Sequence, residues 1–326
     1  MIIVRSPLRI TLGGGGTDLP SFYEKHQGFL IAAAINKYIY VILTKPFEDG
    51  IYLKYSSAEK TNQVKNIKHP IIREALIHEN LINEPIELTT LADIPSGTGL
   101  GSSGSFATAL IKAIQLKKKK NISKKVLAET AFFIEMKKLN EPVGKQDHFI
   151  SSYGGIRCFS FMKNNNVKTN LLKISNENLK KFKNNLILFY TGFSRASKKI
   201  LINQRELSLK NDKNMIKSLI KTKEMGYKIK YFLEKNDFES FGYLMNEHWN
   251  EKIKRSEFMS NTKINEWYKG ALKNGAIGGK LVGAGGGGFL LFYAKDKNKL
   301  KHYFSKFGIE ELFFEFDFEG TKKLTL

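Results

Sequence analysis

Two periodicities alternate along this chain. Residues 2–12 are apolar and β-prone, and they run into Gly13-Gly14-Gly15-Gly16. Phe29 to Thr44 is again apolar and β-rich, long enough for two strands, with Ala32-Ala33-Ala34 marking a close contact. Ile51–Tyr55 and Ile86–Ala92 read as further strands, with a helical pattern from Pro70 to Glu79 between them. The last of these strands enters Pro95-Ser96-Gly97-Thr98-Gly99-Leu100-Gly101-Ser102-Ser103-Gly104, and helical spacing resumes through Lys117. Ser123 caps a second helical stripe of Val126, Leu127, Thr130, Phe133 and Ile134. Ile156–Phe161 returns to strand character, and Asn164-Asn165-Asn166 is a polar break.

The second half follows the same logic. Leu186–Tyr190 is a continuous apolar strand. Phe238, Phe241, Leu244, Met245 and Trp249 form a core-facing helical stripe behind the cap residue Asp237. Ile264, Trp267, Tyr268, Ala271 and Leu272 form another, stopped at Gly275. Strands at 280–282 and 289–293 flank Gly283-Ala284-Gly285-Gly286-Gly287-Gly288. Leu312, Phe314, Phe316 and Phe318 alternate with Phe313, Glu315, Asp317 and Glu319, the pattern of a strand with one buried face. Strands and helices mix in both halves, which predicts α+β layers, and 326 residues suit two domains.

Composition narrows the setting. No apolar run reaches membrane-spanning length, and the N-terminal residues lack the layout of a signal peptide. Cys158 is the only cysteine, so the chain holds no internal disulfide or cysteine-based metal site, and a cytoplasmic location is the simplest expectation. The net charge of +22 raises nucleic-acid binding as one reading. The lysines are spread along the chain, however, without an aromatic-basic recognition motif, which fits a solvated surface attractive to small anions.

The serine- and glycine-rich loop carries the sharpest chemistry. Glycines allow close backbone approach, and a following helix start supplies unpaired N–H groups and a positive dipole end, together an anion site. Gly99 to Gly104 matches G-x-G-x-x-G, so an NADP-dependent oxidoreductase is one alternative. The acidic residue such a fingerprint needs about 20 positions on is missing, however, and Lys117 to Lys120 stand there instead. The loop also lacks the lysine of a Walker motif.

Two further glycine-rich segments, at 13–16 and 283–288, make ligand contact a better explanation than structural turns. Phosphoryl transfer needs held phosphates, charge stabilisation and a group that orients or deprotonates the acceptor hydroxyl. Ser103 and Glu135 offer oxygens suited to Mg2+. Asp147 is the candidate base, Arg9 can balance developing charge, and Asp18 is an acceptor suited to sugar hydroxyls.

With these residues in their order and spacing, the chain resembles the GHMP family of small-molecule kinases over essentially its whole length. The P-x-x-x-G-L-G-S-S motif stands here as Pro95 to Ser103. Within the family the pattern is most like that of the D-glycero-D-manno-heptose 7-phosphate kinases, and fucose kinases share much of it. The resemblance implies an N-terminal ribosomal protein S5 domain 2-like fold over 1–170. For 171–326 it implies a C-terminal ferredoxin-like α/β sandwich with extra helices. It also implies ATP held by Pro95, Gly97, Thr98, Gly99, Leu100, Gly101, Ser102, Ser103 and Gly104, and Mg2+ held by Ser103 and Glu135. Asp147 and Arg9 take the catalytic positions. The sugar side comprises Gly15, Gly16, Thr17, Asp18, Gly285 and Gly286. A substrate phosphate needs basic residues of its own, and Arg195 and Lys198 are candidates. A small sugar phosphate, ATP and a homodimer are the partners this implies, without nucleic acid or membrane. Galactokinases carry Gly-Glu-His-Thr-Asp where this chain has Gly14-Gly15-Gly16-Thr17-Asp18, a departure that argues against galactose.

Overall fold

A computed structural model describes residues 1–193 and 197–325. The strands are β1 (Ile2–Gly13), β2 (Gly28–Thr44), β3 (Ile51–Lys54), β4 (Ala58–Thr61), β5 (Ile86–Ala92), β6 (Ile156–Phe161), β7 (Val167–Leu171), β8 (Leu186–Tyr190), β9 (Ala276–Leu281), β10 (Phe289–Ala294) and β11 (Lys322–Leu324). Eight of them form one sheet built on β1 and β2, and β8-β10-β9 form a second, antiparallel sheet. Helices pack on both, giving the α+β architecture expected from the sequence.

β2 corrects one expectation. Phe29 to Thr44 is not two strands but part of one 17-residue strand that changes partner midway. Its first half pairs with β6 and its second half with β5. A register shift against β1 between Pro7 and Leu8 bends it there. The apolar run is continuous because the strand is covered on both faces along most of its length.

The gap between β6 and β5 is closed by residues 311–320, which correct a second expectation. The alternating Leu312–Phe318 pattern does not form a strand of either sheet. It forms an extended strap between them: Leu312 N–H donates to Leu188 O of β8, and Asp317 N–H donates to Ala34 O of β2. Phe314 is buried, Phe316 partly buried, and Phe318 exposed. The strap then delivers β11 to the free edge of β1, so the chain ends in the sheet where it began.

Asn164-Asn165-Asn166 is the turn of the β6–β7 hairpin, with Asn165 at positive φ. The helix Ser102–Lys117 is buried on nearly every side, by Phe106, Leu110, Ile111 and Ile114 among others. Its N-terminus is therefore fixed by packing rather than by a side-chain cap, and Gly101 takes the left-handed conformation in front of it.

Candidate active site

One cavity of about 750 Å3 gathers the glycine-rich segments. The loop 95–103 forms one wall through Pro95, Ser96, Gly97, Gly99, Gly101, Ser102 and Ser103. Of the other predicted ATP-loop residues, Thr98 and Leu100 are buried behind the loop, and Gly104 lies under Asp147. The third glycine segment is packed directly on the second. A Cβ on Gly99 would come within 2.7 Å of Val282 O, and one on Gly283 within 2.6 Å of Gly99 O. That contact, rather than ligand approach alone, dictates glycine at both positions.

Arg9 and Asp147 meet at the floor. Arg9 Nε donates to Asp147 Oδ1 at 2.7 Å and Nη2 to Oδ2 at 3.0 Å, while Nη1 donates to Gly99 O. The bidentate ion pair is partly buried, and it ties the candidate base to the phosphate loop. Asp147 sits in the first turn of helix Gln146–Tyr153 and against the N-terminus of helix Ser102–Lys117, where a carboxylate is favoured by the dipole.

Asp18 stands beside them, buried, with Oδ2 accepting from Gln146 N–H at 3.0 Å. Burial pushes its carboxyl above the ordinary carboxylate value. The Gln146 N–H opposes that push, and the like charge of Asp147 adds to it. Gly15 and Gly16 line the cavity next to Asp18. Thr17 does not: its buried hydroxyl is taken up by Gly14 O and the Phe29 backbone.

Several predicted residues lie elsewhere. Gly285 and Gly286 pack on Met259 rather than on the cavity, and Gly283 and Ala284 line it instead. Lys198 is an exposed residue paired with Glu141 at 2.8 Å. Arg195 lies outside the described residues. Glu135, on a π-helical turn at Ile134–Lys138, is buried, and its Oε2 lies 2.5 Å from His148 Nε2. It is not part of the cavity wall. Ser103 is. Glu135 is thus engaged by His148, and no cluster of three His, Cys, Asp or Glu suited to a metal occurs among the described residues.

The structure adds residues that sequence reasoning missed. Thr11, Gln146, Gln204, His248, Lys252, Arg255 and Lys280 all line the cavity. His248 and Lys252 continue the apolar stripe of helix Phe238–Ile253, and polar groups on a buried stripe were the available signal. Burial lowers Lys252 to about 7, with Arg255 and Arg9 adding to the effect, and it lowers Arg255 to about 10. Burial also drives Lys280 and His248 well below their ordinary values. Tyr55, His69 and Phe106 pack ring to ring and, with Ile71 and Leu91, form an apolar arm of the cavity.

Sequence profiles described as the GHMP kinases N terminal domain and the GHMP kinases C terminal match residues 64–155 and 229–310. The chain is 30% identical over 316 residues to the D-glycero-alpha-D-manno-heptose 7-phosphate kinase of Campylobacter jejuni, covering 91% of each chain. The chain belongs to the GHMP kinase family. It is an ATP-dependent phosphotransferase, and that excludes the dinucleotide reading of Gly99 to Gly104. The large sheet agrees: its β3–β5 pair is parallel and the other pairs are antiparallel, unlike a dinucleotide-binding sheet.

The fold of this GHMP kinase is also that of solved structures. A D-glycero-D-manno-heptose 1-phosphate kinase from Bacteroides thetaiotaomicron superposes with a TM-score of 0.82 at 22% identity, over 100% of this chain and 99% of that one. The phosphomevalonate kinase of Streptococcus pneumoniae, solved with phosphomevalonate and AMPPNP, superposes with a TM-score of 0.78 at 16% identity, over 97% and 100%. No helix among the described residues of the kinase is long and apolar enough to cross a membrane.

Proposed function

We propose that this kinase transfers the γ-phosphoryl group of ATP to the anomeric hydroxyl of D-glycero-D-manno-heptose 7-phosphate, giving the 1,7-bisphosphate for nucleotide-activated heptose and surface polysaccharide. Residues 1–170 carry the ATP loop, the catalytic pair and Asp18, and residues 171–326 the third glycine-rich loop on the substrate side. The observation that carries the chemistry is the Arg9–Asp147 pair held against the phosphate loop, with Asp18 and two backbone glycines beside it. The likeness to the Campylobacter enzyme along nearly the full chain supports the heptose acceptor.

In the reaction, Asp147 accepts the proton of O1 while O1 attacks the γ-phosphorus. The O1–P bond forms, the bond to the β,γ-bridging oxygen breaks, and ADP leaves with that electron pair. Arg9 fixes the carboxylate and balances charge, and the carboxylate keeps lone pairs beyond those given to Arg9. Asp18, Gly15 and Gly16 orient the sugar. The N–H groups of loop 95–103 and the helix start hold the phosphates, and the apolar arm at Tyr55 and Phe106 takes the adenine. Mg2+ bound with ATP would neutralise phosphate charge. Of its two expected ligands, Ser103 stands in the cavity to hold it and Glu135 does not.

A panel of heptose 7-phosphate, heptose 1-phosphate, fucose, mannose and galactose with ATP and Mg2+ tests the reading by product mass. The bisphosphate formed from heptose 7-phosphate is expected. Turnover of fucose alone overturns the heptose acceptor, and turnover of heptose 1-phosphate alone moves the reacting hydroxyl to the other end of the sugar.

A further inference from the structure

Three basic side chains that line the cavity, Lys252, Arg255 and Lys280, have no anion of their own among the described residues. Lys252 donates to Leu281 O at 3.2 Å and Gly283 O at 2.5 Å, and Lys280 donates to Leu12 O at 3.1 Å. Arg255 donates to Ser218 Oγ at 3.0 Å and to Thr222 Oγ1. No carboxylate lies within 4.0 Å of any of the three among the described residues. Of the nearby acids, Asp147 is committed to Arg9, Asp18 to the Gln146 N–H, and Glu251 to Lys221.

Donor capacity remains. An ammonium has three N–H groups and a guanidinium five. The neutral acceptors named above leave one donor on Lys252, two on Lys280 and three on Arg255. Burial without a counterion disfavours the charged forms of these groups, and an anion that enters the site restores them. A phosphomonoester offers several strong acceptor oxygens and a charge near −2.

We propose that Arg255, Lys252 and Lys280 form the subsite for a phosphomonoester carried by the acceptor substrate. The proposal rests on the sugar-phosphate reading above and replaces Arg195 and Lys198 as the expected phosphate ligands. Its position favours the acceptor over ATP. A Cβ on Gly16 would stand 3.2 Å from Arg255 Nη1, so the guanidinium borders the first glycine segment. Lys252 and Lys280 hold the backbone of the third segment and the end of β1, and so link this subsite to the reacting end.

The experiment compares wild type with Arg255→Gln and Lys252→Gln, using heptose 7-phosphate and unphosphorylated heptose as acceptors and varying ATP separately. KM for heptose 7-phosphate rises roughly 10- to 100-fold, the loss expected for a charge-assisted contact. The preference for the phosphorylated acceptor, as a ratio of kcat/KM values, collapses, while KM for ATP stays unchanged. A raised KM for ATP, or equal losses on both acceptors, assigns the cations to the nucleotide or to the fold and overturns the proposal. Because Arg255 also binds Ser218 and Thr222, a second measurement uses the unaltered enzyme: inorganic phosphate at saturating ATP inhibits competitively with the acceptor. Inhibition competitive only with ATP overturns the proposal as well. Wild type that accepts only unphosphorylated sugars overturns both this inference and the heptose assignment. Wild type active on heptose 7-phosphate with an unaltered KM in Arg255→Gln overturns this inference alone.

Discussion

Arg9 grips Asp147 through two parallel hydrogen bonds, at 2.7 and 3.0 Å, and reaches the carbonyl of Gly99 with its remaining nitrogen. One side chain thus sets the distance between the candidate base and the phosphate loop. Asp147→Asn keeps the shape and removes the proton acceptor. It lowers kcat by about 10²- to 10⁴-fold with little change in KM for ATP, read as ADP release. Arg9→Lys supplies charge without the planar fork, and it lowers kcat at an unchanged melting temperature if the fork's role is positional. Near-normal turnover in Asp147→Asn removes the base role.

The close approach of two glycine segments makes a steric prediction. Gly99→Ala places a Cβ 2.7 Å from Val282 O at a φ of +84°, where a side chain is strained in any case. Gly144→Ala places one 2.0 Å from Asp18 Oδ2. Both variants lose about 1–3 kcal/mol of stability, read by thermal or urea unfolding. They differ in function. Gly99→Ala weakens nucleotide binding, and Gly144→Ala raises KM for the acceptor by displacing Asp18.

Much of this site was legible in the chain, because glycine-rich segments before a helix start have few other uses. Arg9 and Asp147 stood out by their chemistry and by the family resemblance, but the bidentate geometry that joins them was not legible, since 138 residues separate the two. His248 and Lys252 were hidden because they occupy positions a helical stripe reserves for apolar side chains, and their cost is met by backbone carbonyls and N–H groups rather than by a nearby acid. The strap at 311–320 misled for the opposite reason. Its alternation is real, but its partners are β8 at one end and β2 at the other, so neither sheet claims it.

Lys252 gives the stability of the ligand-free enzyme a pH dependence. Its ordinary value is 10.5 and burial lowers it to about 7, with Arg255 and Arg9 adding. Lys280 and, one turn away on the same helix, His248 also interact with its charge. Between these two values the unfolded chain binds a proton at Lys252 that the folded chain does not, so unfolding free energy rises with pH across that window and flattens below it. The melting temperature of wild type therefore increases from about pH 7 toward about pH 10 more steeply than that of Lys252→Met. Equal slopes for the two proteins show that Lys252 is solvated in solution.

Glu135 carries the sharpest remaining test, because two roles compete for it. In the structure it is a buried partner of His148 Nε2, while His148 Nδ1 has no hydrogen-bond partner among the described residues. As a magnesium ligand it would have to turn from His148 toward Ser103. Glu135→Ala strands the buried imidazole and costs about 1–3 kcal/mol, which lowers the melting temperature whether or not Mg2+ is present. Ser103→Ala, at an exposed position on the loop, leaves the melting temperature unchanged and acts only on turnover. A stabilising second substitution, His148→Leu, removes the unpaired ring and restores the melting temperature of the Glu135→Ala protein. If turnover of that double variant then shows the magnesium dependence of wild type, Glu135 is structural. If it requires far more Mg2+, the carboxylate serves the metal in the working enzyme, and the His148 contact belongs to the resting state.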